Sequence, residues 1–224
     1  MKNLKLFFTV VFFVLIPLSC QAVGEVALSQ KIEDASEIIS KTGLGNVYLS
    51  LSTKGKRFYA GFKITPDGIN QPALIGVHIS DSTRVGWTFD KIISDLFIYN
   101  GLVSLVFDDG ETFSLIDKTW KKAPIFLGRQ AHIVYSDGFK HLVSCFPSSP
   151  AKADSHQGGC ESRNPNWTVN FPWYELPPKV CGGLLHAVTW SHSGNQHIVI
   201  DIQTGKITAR HQYTGQSFCE RVEG

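Results

Sequence analysis

Apolar and polar positions alternate with a period of two through most of this chain. The clearest case is the region 184–213. Three runs, 184–191, 197–202 and 206–213, are joined at Ser193-Gly194 and Thr204-Gly205. Ile198, Ile200 and Ile202 alternate along the middle run, which predicts an antiparallel meander with one apolar face. The same signal recurs upstream. Runs at 47–51, 57–64 and 73–79 are broken by Lys54-Gly55 and Pro66-Asp67-Gly68. Runs at 96–99 and 102–107 flank Asn100-Gly101, a strong hairpin signal. Further runs lie at 112–116, after Asp109-Gly110, and at 132–135 and 140–146, around Asp137-Gly138. Only 25–41 carries a helical period, with Leu28, Ile32, Ala35 and Ile39 on one face and Gly43 placed as a C-terminal cap. The expected class is α+β: one N-terminal helix and a mostly antiparallel sheet. Lys121-Lys122-Ala123-Pro124 is the best internal break, dividing residues 23–125 from 126–224. The stretch 147–166 reads as a polar loop. No blade-like period recurs often enough to support a propeller, and the similar turns near Asn100 and Thr204 read as ordinary hairpins.

Residues 1–22 read as a secretory signal: Lys2 and Lys5, an apolar run from 6 to 18, then small residues. Leu18-Ser19-Cys20 resembles the end of a lipobox, but Pro17 stands where an aliphatic residue is wanted, so lipid anchoring at Cys20 is the lesser reading. No later run is long enough to span a membrane. Loss of the signal leaves 19 basic against 19 acidic residues, so net charge gives no argument for a nucleic-acid partner. Four cysteines remain, and an even count in an exported chain suggests two disulfides. The favoured pairing is Cys145–Cys160 and Cys181–Cys219. No Cys-x-x-Cys spacing is present, and no metal or cofactor is expected. Asn166-Trp167-Thr168 is a glycosylation sequon, usable only in a eukaryotic secretory pathway.

Pro172-Trp173-Tyr174-Glu175-Leu176-Pro177 resembles the aromatic-aromatic-Glu-x-Pro strand of the fungal guanyl-specific ribonucleases. His197-Ile198-Val199-Ile200 stands where that family has Arg-Val-Val-Phe. Tyr213-Thr214-Gly215 and then Cys219 are similar to its C-terminal ending. The likeness covers about a fifth of the chain and implies a ribonuclease-like antiparallel sheet in the C-terminal half. It implies Glu175 as the base that takes the ribose 2′-hydroxyl proton. The phosphate-binding Arg position holds His197. The acid position holds Gln212 by strict count, or Tyr213 if Thr214-Gly215 anchors the alignment. His156 lies near a further family histidine, but in a different local motif.

A two-residue turn at Thr204-Gly205 would set Ile202 opposite Ile207 and His197 opposite Gln212. His197, Val199, Asp201, Thr208, Arg210 and Gln212 would then share one face, and Arg210 could replace the missing guanidinium. His211 would join the isoleucines unless the last strand carried a bulge. An even loop at Ser193-Gly194 would put His186 and Trp190 beside Asp201; an odd loop would bury them. Trp173, Tyr174 and Arg210 are the candidates for RNA contact. The turn at Asp108-Asp109-Gly110-Glu111 reads as an ordinary Asp-Gly turn rather than a cation site. The resemblance thus implies a secreted ribonuclease-like effector of fungal type, catalytically impaired, that binds host RNA or host protein. The alternatives are an active secreted endoribonuclease and a glycan- or surface-binding β-module.

Overall fold

The computed structural model describes residues 30–31, 36–128, 130–146, 157–172, 174–190 and 193–215. Almost all of this is β-structure, in four antiparallel sheets each built from consecutive strands. The first holds β1 (Gln30–Lys31), β2 (Asn46–Ser52), β3 (Lys56–Ile64), β4 (Asn70–His78) and β5 (Arg84–Thr88). The second holds β6 (Ile93–Tyr99), β7 (Leu102–Phe107), β8 (Glu111–Ile116) and β9 (Thr119–Phe126). The third holds β10 (His132–Ser136), β11 (Leu142–Phe146), β12 (Gln157–Arg163) and β13 (Trp167–Pro172). The fourth holds β14 (Tyr174–Cys181), β15 (Leu184–Thr189), β16 (Gln196–Asp201) and β17 (Ile207–Gln212).

The sheets stack face to face in chain order. Contacts run between their leading strands, β2 to β6, β6 to β10 and β10 to β14. One apolar cluster joins sheets one and two through Leu51, Phe58, Leu74, Leu96 and Phe107. A second joins two and three through Phe97, Val106, Leu127, Ile133 and Leu142. A third joins three and four through Val143, Phe171, Tyr174, Leu185 and Ile198. Four-stranded meanders stacked on their faces, with leading strands together, are the blade arrangement of a β-propeller.

Two tryptophans repeat one joint. Trp87 on β5, the last strand of the first blade, donates its indole N–H to the Lys118 carbonyl in the turn before β9, at 3.2 Å. Trp167 on β13, the last strand of the third blade, donates to the Ile202 carbonyl in the turn before β17, at 2.8 Å. Each ties one blade's outer strand to the last hairpin of the next.

The α+β expectation is therefore corrected. Within the span 25–41, Gln30 and Lys31 pair with Ser50 and Leu49 as an edge strand. The helix is only α1 (Ser36–Thr42), seven residues. So short a helix is not stable alone; Ile38 seats it against Leu44, Val47, Tyr59 and Ala73. Gly43 does cap it, at φ 72°, donating to the Ile39 carbonyl at 2.8 Å. The expected break at 121–124 lies inside β9, where Lys121 and Lys122 pair with Ser114 and Phe113. Pro124 is tolerated because β9 is an outer strand with an edge that needs no N–H. The C-terminal half is not one ribonuclease-like sheet: β13 belongs to the third blade and β14–β17 to the fourth. Among the described residues no helix is long and apolar enough to cross a membrane.

Candidate functional site in the last blade

The expected meander is present as β15–β16–β17, with β14 added at its side. Its turn before β17 is built by Asp201. The carboxylate accepts the N–H groups of Gln203 and Thr204, at 2.9 and 2.8 Å, and the Thr204 hydroxyl at 3.0 Å. These bonds hold the Asp201 carboxyl below the usual carboxylate range, the Thr204 side chain first among the causes.

The register differs from the one expected. Gln196 faces Gln212, His197 faces His211 and Ile198 faces Arg210, before a slip between Val199 and Ile200 sets Ile200 opposite Ile207. That bulge reverses the expected faces of His211, Arg210 and Gln212. His211 joins the face of His197 and Val199, while Arg210 and Gln212 join the face of Gln196 and Ile198. On the other side, His186 pairs with Val199 and Val188 with His197, so the even-loop alternative holds for His186.

Three histidines on three neighbouring strands therefore share one face. Nδ1 of His186 and Nε2 of His197 are 3.0 Å apart, with ring centroids at 5.2 Å and planes 24° from parallel. The His197 and His211 centroids are 6.3 Å apart. Burial, then the neighbouring His197, lowers the pKa of His186; burial, then His211, lowers that of His197. One ring donates to the other, with the roles set by the tautomer.

At the end of this blade a cleft of about 350 Å³ is lined by Ser193, Gly194, Gln196, Arg210, His211 and Gln212. Gln196 and Gln212 are register partners on β16 and β17, and both line it. Arg210, His211 and Gln212 are exposed. Trp190, 43% exposed, stands where the chain leaves β15 for the loop that borders the cleft. None of the lining residues is acidic.

The other expected residues are dispersed. Glu175 lies in β14, where pairing with β15 slips between Tyr174 and Leu176. Tyr174 is buried between the third and fourth blades, away from any surface on which a base could stack. Burial pushes its phenol up to about 12. Tyr213 is half-buried and donates its N–H to the Asn195 carbonyl at 2.8 Å. His156, Trp173 and Cys219 lie outside the described residues. Cys145 and Cys160 are disulfide-bonded as expected, directly opposite each other on β11 and β12. Cys181 is also disulfide-bonded. In the acidic turn, Lys91 bonds Asp109 and Glu111 at 2.5 and 2.6 Å, and Lys122 bonds Glu111 at 2.5 Å, so these carboxylates are engaged by lysines.

No protein-family model matches this chain, and no curated protein matches it in sequence. Site geometry alone must carry the functional reading. The cleft and the role of His211 were hidden in the sequence because both depend on the bulge at Val199–Ile200.

Proposed function

We propose that the protein is an exported binding module of propeller type that takes acidic saccharides in the cleft of its last blade. The observation that carries this reading is the cleft lining: two glutamines on paired strands, an exposed arginine and a histidine, with no carboxylate among them. Amides donate and accept, which suits paired sugar hydroxyls. A guanidinium fork binds a carboxylate or sulfate through two parallel bonds. Export is supported by the apolar leader pattern and by the Cys145–Cys160 disulfide.

A glycan array probed with the full chain tests the reading. Uronate- or sulfate-bearing oligosaccharides should be retained over neutral ones, and Arg210→Ala should abolish the preference. Equal retention of neutral and acidic sugars by both proteins would overturn it. Binding of single-stranded RNA instead would make the cleft a nucleic-acid site. Guanosine-specific cleavage lost in Glu175→Gln would make the protein an enzyme.

A further inference from the structure

We propose that the histidine row of the last blade is a binding site for a square-planar transition metal, of which Cu(II) is the type. His186, His197 and His211 come from three adjacent strands, β15, β16 and β17, and lie on one face. Two of their nitrogens, Nδ1 of His186 and Nε2 of His197, already stand 3.0 Å apart. A metal about 2.0–2.1 Å from each would subtend roughly 90–95° between them. That is the angle between neighbouring ligands in a tetragonal or square-planar site, whereas a tetrahedral ion asks for a wider one. Each ring must turn its lone pair by roughly 40–45° off the line joining the nitrogens, a rotation about its ring torsion.

As they stand, no three His, Cys, Asp or Glu side chains among the described residues are gathered as metal ligands. The two-nitrogen pair is the seed, and His211 closes the set. It is exposed, lies opposite His197, and has its ring centroid 6.3 Å away, so a side-chain rotation brings a third nitrogen inward. Ligation needs neutral imidazole, which half-burial favours. For both nitrogens to ligate, the donor ring takes the tautomer that carries its hydrogen on the other ring nitrogen, so both rings bind as neutral imidazoles. The bulge between Val199 and Ile200 serves the site, since without it His211 would face the opposite side of the sheet.

The test uses the full exported chain titrated with a copper(II) salt at neutral pH, followed by calorimetry and electron paramagnetic resonance. The expected result is one ion per chain, a tetragonal signal and couplings from at least two imidazole nitrogens. His197→Gln and His186→Gln should each weaken binding by at least about ten-fold and remove those couplings. His211→Ala should weaken it less. His186 and His197 do not line the saccharide cleft, so these variants should leave sugar binding unchanged, and failure of either proposal is distinguishable from failure of the other. Should a Gln variant fail to fold, protection of His186 and His197 in the unmodified chain from diethylpyrocarbonate by copper, read by peptide mass, replaces it. Copper that binds equally to both Gln variants, or leaves both histidines unprotected, would overturn the proposal.

Discussion

Gly205 sits at φ 69°, and a Cβ placed on it would meet Cγ of Trp167 at 2.5 Å. The residue is thus constrained twice, by its own backbone and by the indole that joins the third blade to the fourth. Gly183, in the turn between β14 and β15, has a similar φ of 77° but open space around it. Gly183→Ala should cost about 1 kcal/mol from backbone strain alone. Gly205→Ala adds the clash and should cost roughly 2–4 kcal/mol. Urea denaturation of the two variants separates the terms, and equal losses would show that Trp167 yields freely. His141 gives a pH-dependent counterpart. It is buried beside Tyr135, and burial lowers its pKa against the smaller upward pull of Asp137 and a hydrogen bond to the Ile202 backbone. Above the ordinary value of about 6.5 it is neutral folded or unfolded, and its stabilising contribution is fully present. Below that value the unfolded chain takes up the proton first, so stability falls until the pH reaches the lowered value. Unfolding free energy measured between about pH 5 and 7 should therefore rise with pH. His141→Gln should flatten the slope without removing it, because His186 and His197 shift in the same direction.

At the scale of elements, strands with a clean two-residue period were legible, and their bounds were nearly right. β2 follows the alternation, the apolar runs of β3, β7 and β16 fall within strands of nearly the expected bounds, and Asn100-Gly101 makes the turn it announces. The strands that were hidden have physical reasons to be. β12 carries Gly158, Gly159, Glu161 and Arg163, so it shows no apolar alternation. A Cβ on Gly159 would meet the Val169 carbonyl at 2.8 Å. β9 carries lysines and a proline because it is an outer strand. The helical period over 25–41 misled because edge pairing with β2 claims Gln30 and Lys31. The disulfide on β11 and β12 was legible from cysteine count and proximity. Both of its cysteines are fully buried in the cluster between blades three and four. The chain-entropy model gives about 3 kcal/mol for closing a loop of this length. The double variant Cys145→Ala, Cys160→Ala should lose about 2–4 kcal/mol in chemical denaturation, the cavity term included. A loss below ~0.5 kcal/mol would mean the flanking strands hold the pairing unaided.

At the scale of the whole molecule, the described residues form a stack of four blades joined by three apolar interfaces, and this was the least legible level. The leading full strands begin at Asn46, Ile93, His132 and Tyr174, so their spacing runs from 39 to 47 residues and no fixed period survives. What repeats is geometric: an outer-strand indole from Trp87 or Trp167 bonded to the next blade's last turn. The candidate site belongs to the same level, because a bulge in one outer strand decides which side chains meet. Arg210 leaves the histidine face and joins Gln196 and Gln212 at the cleft. The most direct test of this account is the affinity of the full chain for one sulfated or uronic-acid oligosaccharide, measured by calorimetry with unmodified protein, Arg210→Ala and a remote control, Arg57→Ala. Saturable 1:1 binding is expected, weakened roughly ten-fold or more by Arg210→Ala as a charge-assisted fork is lost, and unchanged by Arg57→Ala. Equal weakening by both substitutions would mean that diffuse charge holds the ligand, and would contradict a binding site at the cleft.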